Sequence, residues 1–247
     1  MLGSTEPLIP EEEYRGAART VGGISCTWAS GGNVAVISVL PRATITEPTE
    51  MNNSTDCINS LGHCFVSRLS EANVLFVAGW DDQINRTIAD EVEVHAATLE
   101  LVGGAARTAV PDCEELAPVL EPVAGIGALS GLGTDNVPLR PVWHILADAG
   151  AAHFCVWGGT ASTNSLLHAV YIWAYPGLSE PRAAAGERRA LSNGDATLRE
   201  ISQNSDDLPN FEVTAWDGVN TVVVSGRGMR ADAVIETSER LLEALAG

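Results

Sequence analysis

Histidine and cysteine, two residue types that bind transition metals, lie close together at two places in this chain. His153 and Cys155 are two residues apart, so a strand would place both on one face. Cys57, His63 and Cys64 form the second group and could add ligands. Neither group has the Cys-x-x-Cys spacing of a zinc site or redox motif, and a cysteine in a disulfide cannot bind a metal. We therefore favour structural roles and predict no metal and no cofactor.

Motifs for catalysis are missing from the sequence. It contains no Gly-x-Ser-x-Gly, His-Glu-x-x-His, P-loop or Gly-x-Gly-x-x-Gly pattern. The glycines between 125 and 133 have no lysine after them, so we interpret them as a flexible helix end. Acidic pairs such as Asp81-Asp82 and Asp206-Asp207 do not follow the calcium-loop pattern and are predicted to be solvated. We predict a non-enzymatic protein. The alternative is an unrecognised hydrolase, in which a histidine meets a nucleophile or carboxylate in a cleft.

Charge and hydropathy exclude some partners and leave the compartment open. The formal net charge of -18 over 247 residues would repel phosphates, so nucleic acid is excluded as a partner. No stretch is long and apolar enough to span a bilayer. Residues 1–10 carry neither a basic nor an apolar signal-peptide region, so the protein is either cytosolic or has lost an export signal.

Five cysteines favour export, because structural bridges persist outside the reducing cytosol. Cys113 opens a predicted helix and Cys155 begins a predicted strand, so a bridge would pin helix to sheet. Cys57 and Cys64 flank a short turn and would form a second bridge. Cys26 is left over, and its partner would lie upstream of the chain. The alternative is that all five are buried thiols of a cytosolic protein.

The chain repeats a pattern of strands and a closing helix. Cys26-Thr27-Trp28 matches Cys155-Val156-Trp157, and in both places a glycine-rich turn and a β-rich run ending in proline follow. Further along, the strand after Asn73 matches the strand after Asn220, and helical patterns close the copies at 81–99 and 230–245. We predict an α+β fold with two tandem modules, residues 1–104 and 105–247, each an antiparallel sheet with packed helices.

The second copy begins with a predicted helix of its own. Asp112 and Glu115 have the spacing of a capping box, and Leu116, Val119 and Leu120 would point inward. The first copy has no equivalent, and we expect that the native precursor continues upstream of Met1. The alternative is a divergent first copy that never had this helix. A second short helix is predicted at 187–191, inside a long polar loop.

Aromatic residues give the best indication of a binding surface. Tyr171, Trp173 and Tyr175 alternate along one strand and would share one face, whereas the first copy has Ile37, Val39 and Pro41 there. The alternative is that this face packs on the neighbouring module. Trp28 and Trp157 are expected to pack over disulfides, by analogy with immunoglobulin domains.

A helix opened by cysteine, a Cys-x-Trp strand, a hairpin and a closing helix together resemble small cell-envelope lipoproteins of actinobacteria. The pattern is also loosely similar to extracellular sensor domains of actinobacterial receptor kinases. Cys113, Cys155 and Trp157 carry the resemblance, with Cys26 and Trp28 as the second copy. It implies a cell-surface location, a binding or structural role, and no catalytic residues. No lipobox cysteine stands at the start, so membrane association would need an N-terminal anchor that the chain lacks.

Together these observations predict an exported cell-envelope protein. It would bind another envelope protein or form an accessory subunit of a surface complex, with the aromatic strand and the long loop as its contact region. A small-ligand-binding or sensor domain is the alternative within the same class.

Overall fold

The computed structural model divides the chain into two compact units. The first unit comprises Met1–Ala106 with Pro138–Ala151, and the second comprises Arg107–Val137 with Ala152–Gly247. The structure describes residues 11–30, 33–44, 55–58, 63–79, 81–101, 110–124, 129–131, 146–147, 149–159, 169–179, 186–201 and 209–246.

In the first unit, the described strands form one antiparallel sheet in the order β1-β2-β5-β4-β3. Its elements are α1 (Glu11–Thr20), β1 (Ile24–Ser30), β2 (Asn33–Pro41), a 3-10 turn (Arg42–Thr44), β3 (Thr55–Ile58), β4 (His63–Leu69), β5 (Asn73–Gly79) and α2 (Asp82–Thr98). The face that α2 covers carries Val39, Leu75 and Val77 in one hydrophobic cluster with Ile88 and Ala89 of that helix.

In the second unit, the described strands form an antiparallel sheet in the order β6-β7-β8-β12-β11-β10-β9. Its elements are α3 (Cys113–Ala124), β6 (Leu129–Gly131), β7 (His153–Gly159), β8 (Ala169–Tyr175), β9 (Glu187–Ala190), β10 (Asp195–Glu200), β11 (Asn210–Trp216), β12 (Thr221–Arg227) and α4 (Ala231–Ala246). The α+β class with antiparallel sheets is therefore confirmed.

The two sheets share an order of five strands. Strands β1-β2-β5-β4-β3 correspond to β7-β8-β12-β11-β10, in space and along the chain, and a helix follows the last strand of each set. Only the edge strands β6 and β9 have no counterpart among the described strands of the first unit. The repeated topology is what a duplicated module would produce, because loops accept insertions more readily than paired strands.

The same helix-ending turn leads into β1 and into β7. At each turn two backbone N–H groups donate to helical carbonyls, and the first donor is a glycine at positive φ. The four bonds join Gly22 to Arg19, Gly23 to Ala18, Gly150 to Ala147 and Ala151 to Leu146. Helix α1, which the sequence analysis did not predict, therefore aligns with the helical residues Leu146 and Ala147 and not with α3.

Helix α3 is anchored as predicted at its start but is rotated from the predicted orientation. The Asp112 carboxylate accepts from the Glu115 N–H at 2.8 Å, and the Glu115 carboxylate accepts from the Asp112 N–H at 3.2 Å, which confirms the capping box. Leu116 and Leu120 are buried in the main core cluster, but Val119 is 43% exposed, so its predicted inward position is wrong. Leu116 and Leu120 follow the bridged Cys113 by three and seven residues and so share its face of the helix, whereas Val119 lies beside that face.

The helix predicted at 187–191 is wrong. Residues Glu187–Ala190 form the edge strand β9, which pairs with β10, with Glu187 opposite Leu198 and Ala190 opposite Asp195. All four residues are exposed, so they carry no apolar alternation that could reveal a strand. Strand pairing has outweighed the local propensity here.

Within the described ranges, no helix is long and apolar enough to cross a bilayer.

Candidate functional site

A disulfide joins the first residue of α3 to the first half of β7. Cys113 and Cys155 are bonded to each other, with their Cα atoms 5.6 Å apart. The predicted bridge is confirmed, and it pins α3 to strand β7 of the second unit. Its two ends are 42 residues apart in sequence, so it stabilises the unit by about 4 kcal/mol on the chain-entropy model.

His153 lies directly beside this disulfide. Its Nε2 atom is 3.3 Å from the Cys155 sulfur and 3.7 Å from the Cys113 sulfur. All three ligand-type atoms lie within 4.8 Å of one another, and we call these residues the Cys113–His153–Cys155 cluster. The predicted common face of His153 and Cys155 is confirmed by these distances. The approach of Cys113 could have been foreseen from the predicted bridge, because a residue on the same face as Cys155 must lie near its partner.

The surroundings of the cluster favour the neutral form of His153. Partial burial lowers the pKa of the imidazole, and the nearby Asp112 carboxylate opposes that shift without cancelling it. The Asp112 carboxylate already accepts a hydrogen bond from the Glu115 N–H as the N-cap of α3. Cys113 and His153 are partly exposed, whereas Cys155 is fully buried. The imidazole Nε2 atom therefore lies near both sulfur atoms of the bridge, in a partly buried environment.

The hydrolase alternative needs a histidine that faces a nucleophile or a carboxylate. The ring nitrogen of His153 instead faces the disulfide sulfurs, and Asp112 acts on it only through its charge. His144, His168 and the side chain of His63 lie outside the described residues. Among the described residues, His95 on α2 is exposed.

The other cysteines differ in state. Cys64 is disulfide-bonded and lies in register with Cys57 across the β3–β4 pair, but the side chain of Cys57 is outside the described set. Cys26 is a free, exposed thiol. Cys26 and Cys155 occupy aligned positions in the repeat, so the same strand position is bridged in the second unit and free in the first.

The aromatic residues of β8 lie on the face of the sheet away from α3 and α4. Ile172 and Ala174 belong to the core cluster under those helices, so the alternating Tyr171, Trp173 and Tyr175 point the other way. The residues predicted at this place in the first copy are wrong, because Ile37 and Val39 pack on the helix-covered face and the strand register aligns Leu40 with Tyr175. We call these three the aromatic row. The Tyr171 and Trp173 rings are stacked at 6.2 Å with an interplanar angle of 16°. Whether the row binds a partner stays a prediction.

The aromatic row is mostly buried. Tyr175 is fully buried, Trp173 is 5% exposed, and Tyr171 is partly exposed. Trp173 also contacts the Phe154 ring, with centroids 5.1 Å apart. Within the described part of the chain, the buried Trp173 Nε1–H has no hydrogen-bond partner. Tyr171 is thus the member of the row that a partner could reach, and the Trp173 N–H is a donor in need of an acceptor.

A polar row continues from Tyr171 across the sheet. The strand register places Tyr171 opposite Ser225, Ser225 opposite Glu212, and Glu212 opposite Arg199. Glu212 is 8% exposed, and its carboxylate accepts from Arg199 at 2.6 Å. None of these residues was predicted from the sequence. Their alternation with Val213 and Leu198 in the core could have placed them on this face.

The two tryptophans of the repeat and the acidic pairs were also predicted to have structural or solvated positions. Trp157 is buried in the same core cluster as Cys155, as expected for a ring packed near the bridge. The side chain of Trp28 falls outside the described residues, as do Asp206 and Asp207. Asp81 caps α2 by accepting from the Ile84 N–H at 3.0 Å, so this acidic residue is exposed and also structural.

Comparison with known proteins adds no relative to this picture, since no protein-family model, no curated protein and no solved structure matches the chain.

Proposed function

We propose that this protein is an exported cell-envelope protein that binds a partner protein or forms an accessory subunit of a surface complex, without catalysis of its own. The observation that carries the proposal is the partly exposed Tyr171 ring, stacked on the buried Trp173. The proposed partner is another envelope protein.

Export is supported by the state of the cysteines. Cys113 and Cys155 are bridged, and Cys64 is bridged as well. Such bonds form and persist in oxidising compartments and are rare in the cytosol. The net charge of -18 fits a protein that does not meet nucleic acid.

Protein binding is supported by the construction of the Tyr171 surface. Tyrosine contributes large contact area with few rotatable bonds, and residues of this type dominate the energy of many interfaces. Stacking on Trp173 holds the ring in place before a partner arrives, which lowers the entropy cost of binding. The neighbouring Ser225, Glu212 and Arg199 supply the polar surroundings that interfaces place around an aromatic anchor.

A small-ligand-binding or sensor role is supported by a different observation. A buried indole N–H without an acceptor costs about 1–3 kcal/mol, so a bound group with an oxygen at that point would recover this energy. In this alternative, the ligand carries a hydrogen-bond acceptor that reaches Trp173 beside Tyr171.

Native mass spectrometry of the protein purified from its host's envelope tests both the protein-binding proposal and the ligand-binding alternative. We expect a stoichiometric polypeptide on the wild-type chain, its loss from Tyr171→Ala, and its retention by Val219→Ala, which alters a 54% exposed residue on the β11–β12 turn. A bound small molecule with the same dependence on Tyr171 would favour the ligand-binding form. A bare wild-type chain, or a partner that tolerates Tyr171→Ala, would contradict the proposed surface.

A further inference from the structure

We propose that, once its disulfide is reduced, the Cys113–His153–Cys155 cluster is a binding site for one zinc ion. This goes beyond partner binding and does not depend on it. Two thiolates and one neutral imidazole are a ligand set that zinc prefers, and three protein ligands leave a fourth position for water.

The spacing of the cluster already fits such a site. Ligand atoms of a tetrahedral zinc site with one sulfur and one nitrogen are about 3.6 Å apart, given Zn–S of about 2.3 Å and Zn–N of about 2.0–2.1 Å. The His153 Nε2 atom is 3.3 Å from one sulfur and 3.7 Å from the other. Only the two sulfurs need to separate, to about 3.8 Å in the same geometry. The imidazole is thus in place before reduction.

The first unit lacks this arrangement at the aligned position. Where the second unit has His153 two residues before Cys155, the first has Ile24 two residues before Cys26. A structural disulfide needs no histidine beside it, and a polar ring that is partly removed from water carries a desolvation cost. The structural role of the disulfide therefore does not explain why His153 lies beside it.

Reduction is expected to start at Cys113, because this residue is partly exposed and Cys155 is fully buried. A thiolate of a dithiol reductant attacks the Cys113 sulfur, the S–S bond breaks, and Cys155 leaves as a thiolate. The second thiol of the reductant displaces Cys113, so the reductant becomes a disulfide and two electrons reach the protein. Zinc then binds both thiolates and the imidazole, and two protons are released overall.

The test uses the full chain, reduced without oxygen and freed of reductant, then titrated with Co²⁺ as a spectroscopic substitute for zinc. We expect one equivalent to give thiolate-to-cobalt charge transfer and the bands of tetrahedral cobalt. Zinc should displace the cobalt and should protect Cys113 and Cys155, but not Cys26, from alkylation. His153→Ala should weaken binding by at least about tenfold, because even residues that merely orient a metal ligand cost about 10–100-fold.

Controls separate the site from the other thiols and from unfolding. Cys26→Ser and the double change Cys57→Ser with Cys64→Ser should bind cobalt as the wild type does. If the reduced wild-type chain loses its helical circular dichroism, zinc should restore that signal in the wild type and not in His153→Ala. Absence of binding, equal binding by His153→Ala, or failure of zinc to restore a lost fold would each overturn the proposal.

Discussion

The two units build the same five-strand order but secure its first strand differently. In the second unit, Cys155 of β7 is bonded to Cys113 of α3. In the first unit, the aligned Cys26 of β1 is a free thiol at the surface. Since both strands occupy the same place in the shared order of five strands, the bridge is not what determines that order. It adds stability to an arrangement that strand pairing and the helix-ending turn already specify.

A second comparison concerns the hairpin turn before the last strand of each unit. The Ser70 hydroxyl accepts from the Asn73 N–H at 2.9 Å, and the Asp217 carboxylate accepts from the Asn220 N–H at 2.7 Å. Both asparagines are buried. Two different side chains thus close the same turn, because serine and aspartate both place an oxygen where this backbone needs an acceptor.

The largest difference between the units should appear when aligned cysteines are replaced. Cys113→Ser with Cys155→Ser should destabilise the second unit by about 4 kcal/mol, because the unfolded chain regains the entropy of the open loop. Cys26→Ser should change the stability of the first unit by less than about 0.5 kcal/mol, since that thiol is exposed. Hydrogen exchange read by mass spectrometry would assign the loss to β7, β8 and β12. Equal losses of stability in both units would contradict the proposed difference between the bridged Cys155 and the free Cys26.

Core packing of α3 should produce the next largest effect. Leu120→Ala should cost about 3 kcal/mol, because the side chain is fully buried among strand and α4 residues. The matched change Val119→Ala, one residue earlier and 43% exposed, should cost well under 1 kcal/mol. Urea unfolding followed by hydrogen exchange in α3 and α4 measures both. Similar costs would mean that the helix is oriented differently.

Replacement of the aligned residues Asn73 and Asn220 should affect the stability of different segments. The Asn73 side-chain amide donates to the Ala96 and Leu99 carbonyls, both at 2.8 Å, and so holds the end of α2 against β5. Asn73→Ala should cost about 2 kcal/mol, because it removes both bonds and leaves the buried Ala96 carbonyl without this donor. Asn220 instead accepts from the Gly177 N–H at 3.2 Å, and its replacement should loosen the start of that loop and not a helix. Amide exchange at residues 96–99 and 177–178 distinguishes the two.

The smallest expected effect is a pH dependence confined to the second unit of the oxidised protein. Burial lowers the pKa of His153 below its ordinary value of 6.5, so the unfolded chain takes up a proton more readily than the folded one. The stability that depends on neutral His153 is complete above pH 6.5 and declines as the pH falls below it, by at most about 1.4 kcal/mol per pH unit. His153→Gln should remove this decline, and His95→Gln on α2 should keep it. Urea midpoints between pH 7 and 5 measure the slope.

Much of the fold could be predicted from the sequence, and the failures share a physical cause. The strand after Asn220 carries a β-branched run, and the strand around Cys155 combines Val156 with the aromatic Phe154 and Trp157. Asp112 with Glu115 marks a helix start by local chemistry. Helix α1 was missed because its buried side chains include Ala17 and Ala18, which are too small to give a clear apolar stripe. Strand β9 was missed because it is an exposed edge. The aromatic row was placed on one face correctly, but burial of Tyr175 depends on tertiary packing that alternation cannot reveal.

The most direct test of the account is to map the cysteines of the native protein, alkylated at the moment its host is lysed and digested without reduction. We predict a peptide pair linked through Cys113 and Cys155, together with an alkylated Cys26. That result would establish the Cys113–Cys155 bridge in the native protein and the difference between the two units, and it would support the proposed export. Alkylation of both Cys113 and Cys155 in the native protein would contradict the account, because the bridge that pins α3 to β7 and supports export would then be absent.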